Sequence, residues 1–107
     1  MSEIYHLVLP SVWEARPGEP YRADSLQTEG FIHCSYAHQV AASANRFYAS
    51  AGELLVLRID PATLSSPVKA EAAGSGELFP HVYGPIDRDA VTSARPLARD
   101  AAGKWVF

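Results

Sequence analysis

Three of the four histidines in this 107-residue chain lie in segments that favour β-structure, and their ring nitrogens are its most versatile chemical groups. They are His6 in IYHLV, His33 in FIHCS and His81 in FPHVYG. A histidine among apolar strand residues must bond its ring nitrogens within the protein or present them to a pocket. We therefore expect the three to face one shared cavity. The alternative is three separate core or sheet-edge histidines that bond to backbone.

The segment EGFIHCSYAHQV adds the only cysteine and a serine to this set. A nucleophilic thiol at Cys34 would need a base and an electropositive setting. Side chains alternate along a strand, so if His33 faces a pocket then Cys34 faces the core, and we predict a structural cysteine. Ser35 is predicted to cap the helix that follows, where its helix end could meet a phosphate.

A metal site is the sharpest alternative use of the histidines. His6, His33 and His81 with Glu71 would offer ligands suited to zinc or iron. No pair of ligands has the spacing that places both on one helix face, however. We therefore predict no metal, and keep a metal-dependent enzyme as an alternative only.

Short strands outnumber helices in the elements that must position these residues. Apolar and β-branched runs predict strands at 4–9, 31–34, 54–59, 68–72, 81–83, 90–92 and 105–107. The run at 54–59 is almost continuously apolar and is predicted to lie at the centre of its sheet. One amphipathic helix is predicted over 36–50, with Gly52 as its stop. Strands and helices do not alternate regularly, so the fold class expected is α+β.

Composition limits the function classes further. The length suits a single domain over residues 1–107, and 48% apolar with 20% charged residues is a globular composition. The net charge of −3 argues against bulk binding to nucleic acid or to an anionic membrane. One cysteine and an N-terminus without a basic, apolar leader predict a cytoplasmic protein.

The order of the motifs resembles a small bacterial family known as domain of unknown function 952. The resemblance rests on IYHLV, YRADSL, EGFIHCSYAHQV, LLVLRID and GELFPHVYGPI, and it covers the chain from Ile4 to Leu97. That family is grouped by fold with the ADP-ribosyltransferase-like superfamily. The resemblance therefore implies a compact α+β fold in which a split, mostly antiparallel sheet surrounds a cleft. It also implies that the cleft holds NAD or an ADP-ribosylated substrate.

The resemblance implies catalytic roles for three residues. His6 matches a first-strand histidine that contacts a ribose hydroxyl, and His33 matches the polar or aromatic position on the next motif strand. Glu71, preferred to Glu77, would stabilise the oxocarbenium-like ribose, although this chain reads KAE where the family usually has an aromatic residue before the glutamate. The ligand-binding residues expected around them are Arg22, Ser25, Ser35, His81 and Tyr83. Arg22, in the YRADSL loop, is expected to bind a phosphate through two nitrogens of its guanidinium.

These residues predict an enzyme that transfers or processes an ADP-ribosyl or phosphate-bearing ribose group, with NAD as its substrate and a small nucleotide as its partner. The chain has neither a clear His-Tyr-Glu nor a clear Arg-His-Arg-Arg set of catalytic residues. The reaction type, and whether the protein catalyses a reaction at all, therefore stay open. A nucleotide-binding module without turnover is the first alternative. An interaction protein with a vestigial cleft is a further one, and converging histidines around an open cavity would exclude it.

Overall fold

The protein consists of short strands and helices, seen in a computed structural model that describes residues 2–72 and 74–107. The strands are β1 (Ile4–Val8), β2 (Ile32–His33), β3 (Leu55–Ile59), β4 (Val68–Ala72), β5 (Leu78–Val82), β6 (Val91–Pro96), β7 (Ala98–Arg99) and β8 (Trp105–Val106). The α-helices are α1 (Pro10–Glu14), α2 (Asp24–Thr28) and α3 (Val40–Phe47), and turns of 3₁₀ helix lie at Ala37–Gln39, Pro61–Thr63 and Arg88–Ala90. Every predicted strand is present, and the α+β class is confirmed.

The first sheet is antiparallel and has the order β1-β3-β6. Its central strand β3 is the apolar run that the sequence predicted to be central. Leu57 and Ile59 are buried on one face of the sheet, and Val56 is buried on the other. A strand covered on both faces needs apolar residues at successive positions, which explains the pattern.

The second sheet is also antiparallel, with the order β2-β5-β4, and it contains His33 and His81 as direct cross-strand partners. The two sheets meet where Tyr5 and Ser35 exchange backbone hydrogen bonds of 2.8 and 2.7 Å. The sheet is therefore split, as predicted. The split places the chain just after β2 beside the start of β1, and so brings His6 and His33 together.

Two apolar clusters hold these layers together. The inner cluster joins residues of both sheets, among them Ile4, Leu57, Ile32 and Val82. The outer cluster packs α3 and β8 against the opposite face of the first sheet, through Val40 and Trp105 among others. The radius of gyration is 13.2 Å, which fits one compact domain of this length. Within the described ranges no helix is long and apolar enough to span a bilayer.

The main helix is shorter than predicted. The expected helix over 36–50 is a 3₁₀ turn followed by α3, which ends at Phe47 rather than near Gly52. The side-chain oxygen of Gln39 accepts the backbone N–H of Tyr36 at 2.9 Å, so this glutamine organises the start of the turn. Ser35 is consequently not the N-cap, and that prediction is wrong.

Candidate functional site

His6 is buried where the two sheets meet, and both of its ring nitrogens are hydrogen-bonded. Nδ1 lies 2.6 Å from the backbone carbonyl of His33, and Nε2 lies 2.8 Å from the Tyr21 hydroxyl. A carbonyl oxygen only accepts, so Nδ1 donates, and the neutral ring accepts the Tyr21 proton at Nε2. Burial lowers the pKa of His6 to about 4, although its bond to the His33 carbonyl acts in the opposite direction. The ring is therefore neutral near pH 7.

Tyr21 is the partner that completes this buried pair. Burial raises the pKa of its hydroxyl, and the Tyr48, Cys34 and Asp24 side chains add to the effect, so the hydroxyl stays protonated. It donates its proton to His6 and keeps oxygen lone pairs that can accept from another group. The pair therefore offers an acceptor, not a base with a free nitrogen.

A cavity of about 620 Å³ lies beside this pair, within the size range of small-molecule sites. It is lined by His6, Leu7, Val8, Leu9, Val12, Tyr21, Ala23, Asp24, Ser25, His33, Cys34, Ser35, Ser43, Arg46, Phe47, Tyr48 and Phe79. The wall is mostly apolar and comes from β1, the three helices and the second sheet. Four predicted site residues share this lining, namely His6, Ser25, His33 and Ser35.

Helix α3 supplies the cation of the cavity. Arg46 lines it, and the guanidinium lies 5.2 Å from the ring centroid of Phe47, which is 69% exposed although it is apolar. Ser43, one turn earlier on the same helix, accepts a hydrogen bond of 3.4 Å from the Ser35 hydroxyl. Arg46 is not among the site residues that the sequence predicts, because the helix pattern does not distinguish a residue at the rim of a cavity from one on the open surface.

A second group of polar side chains gathers around Glu71 on the second sheet. His81 Nδ1 lies 3.0 Å from Glu71 Oε1, and the Tyr83 hydroxyl donates to the same oxygen. These two bonds, that of Tyr83 first, lower the pKa of Glu71, and the same contact raises the pKa of Tyr83. The His81 ring is 4% exposed and stacks on Phe31 with centroids 4.0 Å apart. We call Glu71, His81 and Tyr83 the carboxylate cluster.

His33 lies between the cavity and the carboxylate cluster. Its ring meets the His81 ring edge-on at 5.4 Å between centroids, and it is also a cavity residue. The side chain is half exposed, and Nε2 lies 2.9 Å from a carboxylate oxygen of Glu29. The three histidines thus converge, but His81, Glu71 and Tyr83 are not among the cavity-lining residues.

The remaining residues that the sequence analysis singled out have defined positions in the structure, but their proposed roles stay predictions. Arg22 is exposed and is not a lining residue, so its phosphate contact stays a prediction. Glu77 accepts a hydrogen bond of 2.9 Å from Gln39, whereas Glu71 bonds to two site candidates. Cys34 is buried in the inner cluster, and burial raises the pKa of its thiol, as a structural cysteine requires. Among the residues described, no three His, Cys, Asp or Glu side chains gather as a metal site would need.

The chain is similar to known proteins over most of its length. The sequence profile of the family described as "Protein of unknown function (DUF952)" matches residues 8–94. The X-ray crystal structure of Protein CC0527 from Caulobacter crescentus is similar, with a TM-score of 0.86 and 27% identity over 98% of this chain and 94% of that chain. The solution NMR structure of CC0527 gives a TM-score of 0.79 and 29% identity over 97% and 91% of the two chains. No curated protein matches.

Proposed function

The chain belongs to the family described as protein of unknown function DUF952, and on that premise we propose that it binds NAD or a related ADP-ribosyl nucleotide in an ADP-ribosyltransferase-like cleft. The observation that carries the proposal is the cavity of about 620 Å³ at the split of the sheet. Its apolar wall with few polar groups is typical of cofactor sites. A cytoplasmic location, where NAD is available, is part of the proposal.

The polar groups of the cavity suit the two ends of such a molecule. Arg46, Ser35 and Ser43 form the phosphate end, because a guanidinium binds phosphate oxygens in a fork and hydroxyls add further donors. The His6–Tyr21 pair forms the ribose end. The Tyr21 oxygen can accept from a sugar hydroxyl while its own proton stays on His6 Nε2.

Calorimetric titration with NAD and with ADP-ribose tests this proposal. We expect saturable binding of both, and about a tenfold loss of affinity in Arg46→Ala, which is the value of one charge-assisted contact. Arg95→Ala is the matched control, since Arg95 is an exposed arginine on β6 that does not line the cavity. If neither nucleotide binds, or if both variants bind like wild type, the proposal is wrong.

Transfer of the ADP-ribosyl group is a second candidate function, and the ionised Glu71 favours it. Donors from Tyr83 and His81 keep this carboxylate anionic, as a group must be to stabilise positive charge that develops at an anomeric carbon. The cluster lies beside the cavity, next to the lining residues His33 and Phe79, and does not itself line it, so binding is the better-supported function.

A nicotinamide-release assay separates the two functions. For a transferase we expect wild type to release nicotinamide from NAD, and Glu71→Gln to lose release while it still binds NAD. Binding without release in wild type would leave the nucleotide-binding module. Release that survives in Glu71→Gln would remove Glu71 from the mechanism.

A further inference from the structure

His81 Nε2 is the one buried side-chain polar atom among the described residues that has no hydrogen-bond partner. The other ring nitrogen, Nδ1, faces the Glu71 carboxylate at 3.0 Å. A carboxylate only accepts, so Nδ1 donates, and in the neutral form of the ring Nε2 carries a lone pair that no group of the described residues pairs with. A buried polar atom without a partner destabilises a protein, so this nitrogen is expected to meet a group in the functional state.

His81 is a neighbour of cavity-lining residues in the sheet register. His33 is the direct cross-strand partner of His81, and Phe79 is the direct partner of Glu71. Both partners line the cavity. Side chains of directly opposed residues are close neighbours, with Cβ atoms roughly 5 Å apart. The carboxylate cluster is therefore one side chain beyond the wall of the cavity.

The cluster offers acceptors to a ligand. Glu71 Oε1 takes both internal hydrogen bonds, and no described residue donates to Oε2. His81 offers only the lone pair on Nε2. A phosphate would be repelled by the ionised carboxylate, whereas a hydroxyl or another donor is attracted. Lys69, whose ammonium lies 4.8 Å from the Tyr83 ring centroid, is the nearby cation and contacts that ring.

We infer that the cavity continues past His33 into a second subsite, formed by the carboxylate cluster, which holds a hydroxyl of the bound nucleotide on His81 Nε2. This subsite rests on the proposed function, and it fixes the orientation of the nucleotide in the cavity. The phosphates lie at Arg46, and the sugar farthest from the adenine lies at His81. The His33 side chain is half exposed and its hydrogen bond is to the exposed Glu29, so it can turn aside to admit the sugar.

Long-range ¹H–¹⁵N spectra of protein labelled with ¹⁵N-histidine test the subsite without any variant. Free protein is expected to show His81 protonated at Nδ1 and unprotonated at Nε2. The probes are ADP-ribose and ADP, which differ by the terminal ribose that ADP-ribose carries on its β-phosphate. Both should shift the His6 resonances, and ADP-ribose alone should shift His81 Nε2 in the direction of an accepted hydrogen bond. An equal response of His81 to both probes, or no response to either when both bind, overturns the subsite.

His81→Phe tests the same nitrogen by affinity. Phenylalanine keeps the stacking on Phe31 and removes the lone pair, so we expect the preference for ADP-ribose over ADP to fall about fivefold while ADP affinity stays unchanged. An unchanged preference overturns the subsite, and if this variant does not fold the spectra of wild type decide. If neither probe binds wild type, the proposed function itself fails, which is a different outcome from binding that leaves His81 unmoved.

Discussion

The three strand histidines have similar sequence neighbours but different bonding partners. His6 has both nitrogens bonded, His33 is half exposed, and His81 has one nitrogen free of protein partners among the described residues. The neighbours predicted that all three would be near a cavity. They could not predict the bonds, because the partners of His6 come from Tyr21 and His33, which are 15 and 27 residues away.

The pKa of His6 predicts how stability depends on pH. The group titrates near 6.5 in the unfolded chain and at about 4 in the folded protein. The unfolded state therefore binds more protons between these values, and stability falls as the pH drops from 6.5 towards 4. The loss attributable to His6 should reach about 3 kcal/mol below pH 4. Urea unfolding at a series of pH values measures it.

The matched variant for this experiment is His6→Asn. Its amide can still donate to the His33 carbonyl, but it does not titrate. The difference in slope between wild type and variant isolates His6 from the carboxylates, including Glu71, whose lowered pKa acts below its usual range. Parallel curves for the two proteins between pH 6.5 and 4 would contradict the bonding described for His6.

The two arginines considered for phosphate binding show that standing in a sequence motif does not indicate whether a residue lines the cavity. Arg22 stands in the YRADSL motif and was chosen for phosphate, yet it is exposed and does not line the cavity. Arg46 lies outside the strongest motifs, on the polar side of the predicted helix, and it does line the cavity. Sequence periodicity separates buried from exposed faces, but it does not distinguish the rim of a cavity from open surface.

Helix α3 shows the same limit at the scale of an element. The spacing of Val40, Ala44 and Phe47 predicted one core-facing stripe, and the first two are indeed buried. Phe47 is 69% exposed because the helix ends there and its ring lies at the cavity. The predicted stripe therefore identified Val40 and Ala44 correctly as core residues. It was wrong for Phe47, which lines the cavity and could contact a ligand.

Strand β5 shows why turn signals can mislead. The sequence predicts a strand only over 81–83, after Pro80, yet β5 runs from Leu78 to Val82 and includes this proline. The neighbouring strand β2 pairs over only two residues, Ile32 and His33, so few donors are needed from this part of β5. The Pro80 carbonyl still accepts the Cys34 N–H at 3.0 Å. Whether β5 can contain Pro80 depends on the short length of β2, which the sequence around Pro80 does not indicate.

Gly84 lies two residues after the end of β5, and its surroundings yield a prediction for this loop. A Cβ at this position would lie 2.3 Å from Ser66 Oγ and 2.9 Å from Ser66 Cβ, and the backbone φ is +157°. The serine cannot move freely because its hydroxyl donates to the Pro85 carbonyl at 2.7 Å. We expect Gly84→Ala to lower the free energy of unfolding by about 1–3 kcal/mol, as overpacking does, measured by urea denaturation.

Gly52→Ala is the control for this substitution. A Cβ at Gly52 meets nothing within 4 Å, and its φ is not positive, so the change should stay within about 0.5 kcal/mol of wild type. Equal effects of the two substitutions would mean that the contact between Gly84 and Ser66 is not as close as described. The contrast also explains why a glycine follows Tyr83 in the FPHVYG segment.

At the scale of the whole molecule, the sequence predicted the α+β class, the family resemblance implied the split sheet, and only part of the cavity lining was expected. Short strands with one dominant helix indicate the class, while the family resemblance implied a cleft. The cavity itself depends on which segments meet across the chain, such as Tyr5 with Ser35 and Tyr21 with Ile86. Bridges of this kind join residues that no local pattern connects.

The position of the cavity predicts how a ligand affects unfolding of the whole molecule. Its lining draws on both sheets and on α3, so a nucleotide bound there would contact both layers of the fold, and we expect it to oppose their separation in global unfolding. ADP-ribose at a hundred times its Kd should then raise the free energy of unfolding by about 2.7 kcal/mol. Arg46→Ala, at the same ADP-ribose concentration, should gain about 1.4 kcal/mol less if its affinity is tenfold lower.

Native-state hydrogen exchange measured beside urea unfolding distinguishes this global effect from a local one. With a ligand held by both sheets, slowly exchanging amides of β3 and β5 should gain protection equal to the rise in unfolding free energy. If added protection is confined to exposed segments such as α1 and α2 while β3 exchanges as before, the nucleotide lies on the surface. In that case the cavity between the sheets is not its site, because a ligand enclosed by both layers must be released before they part.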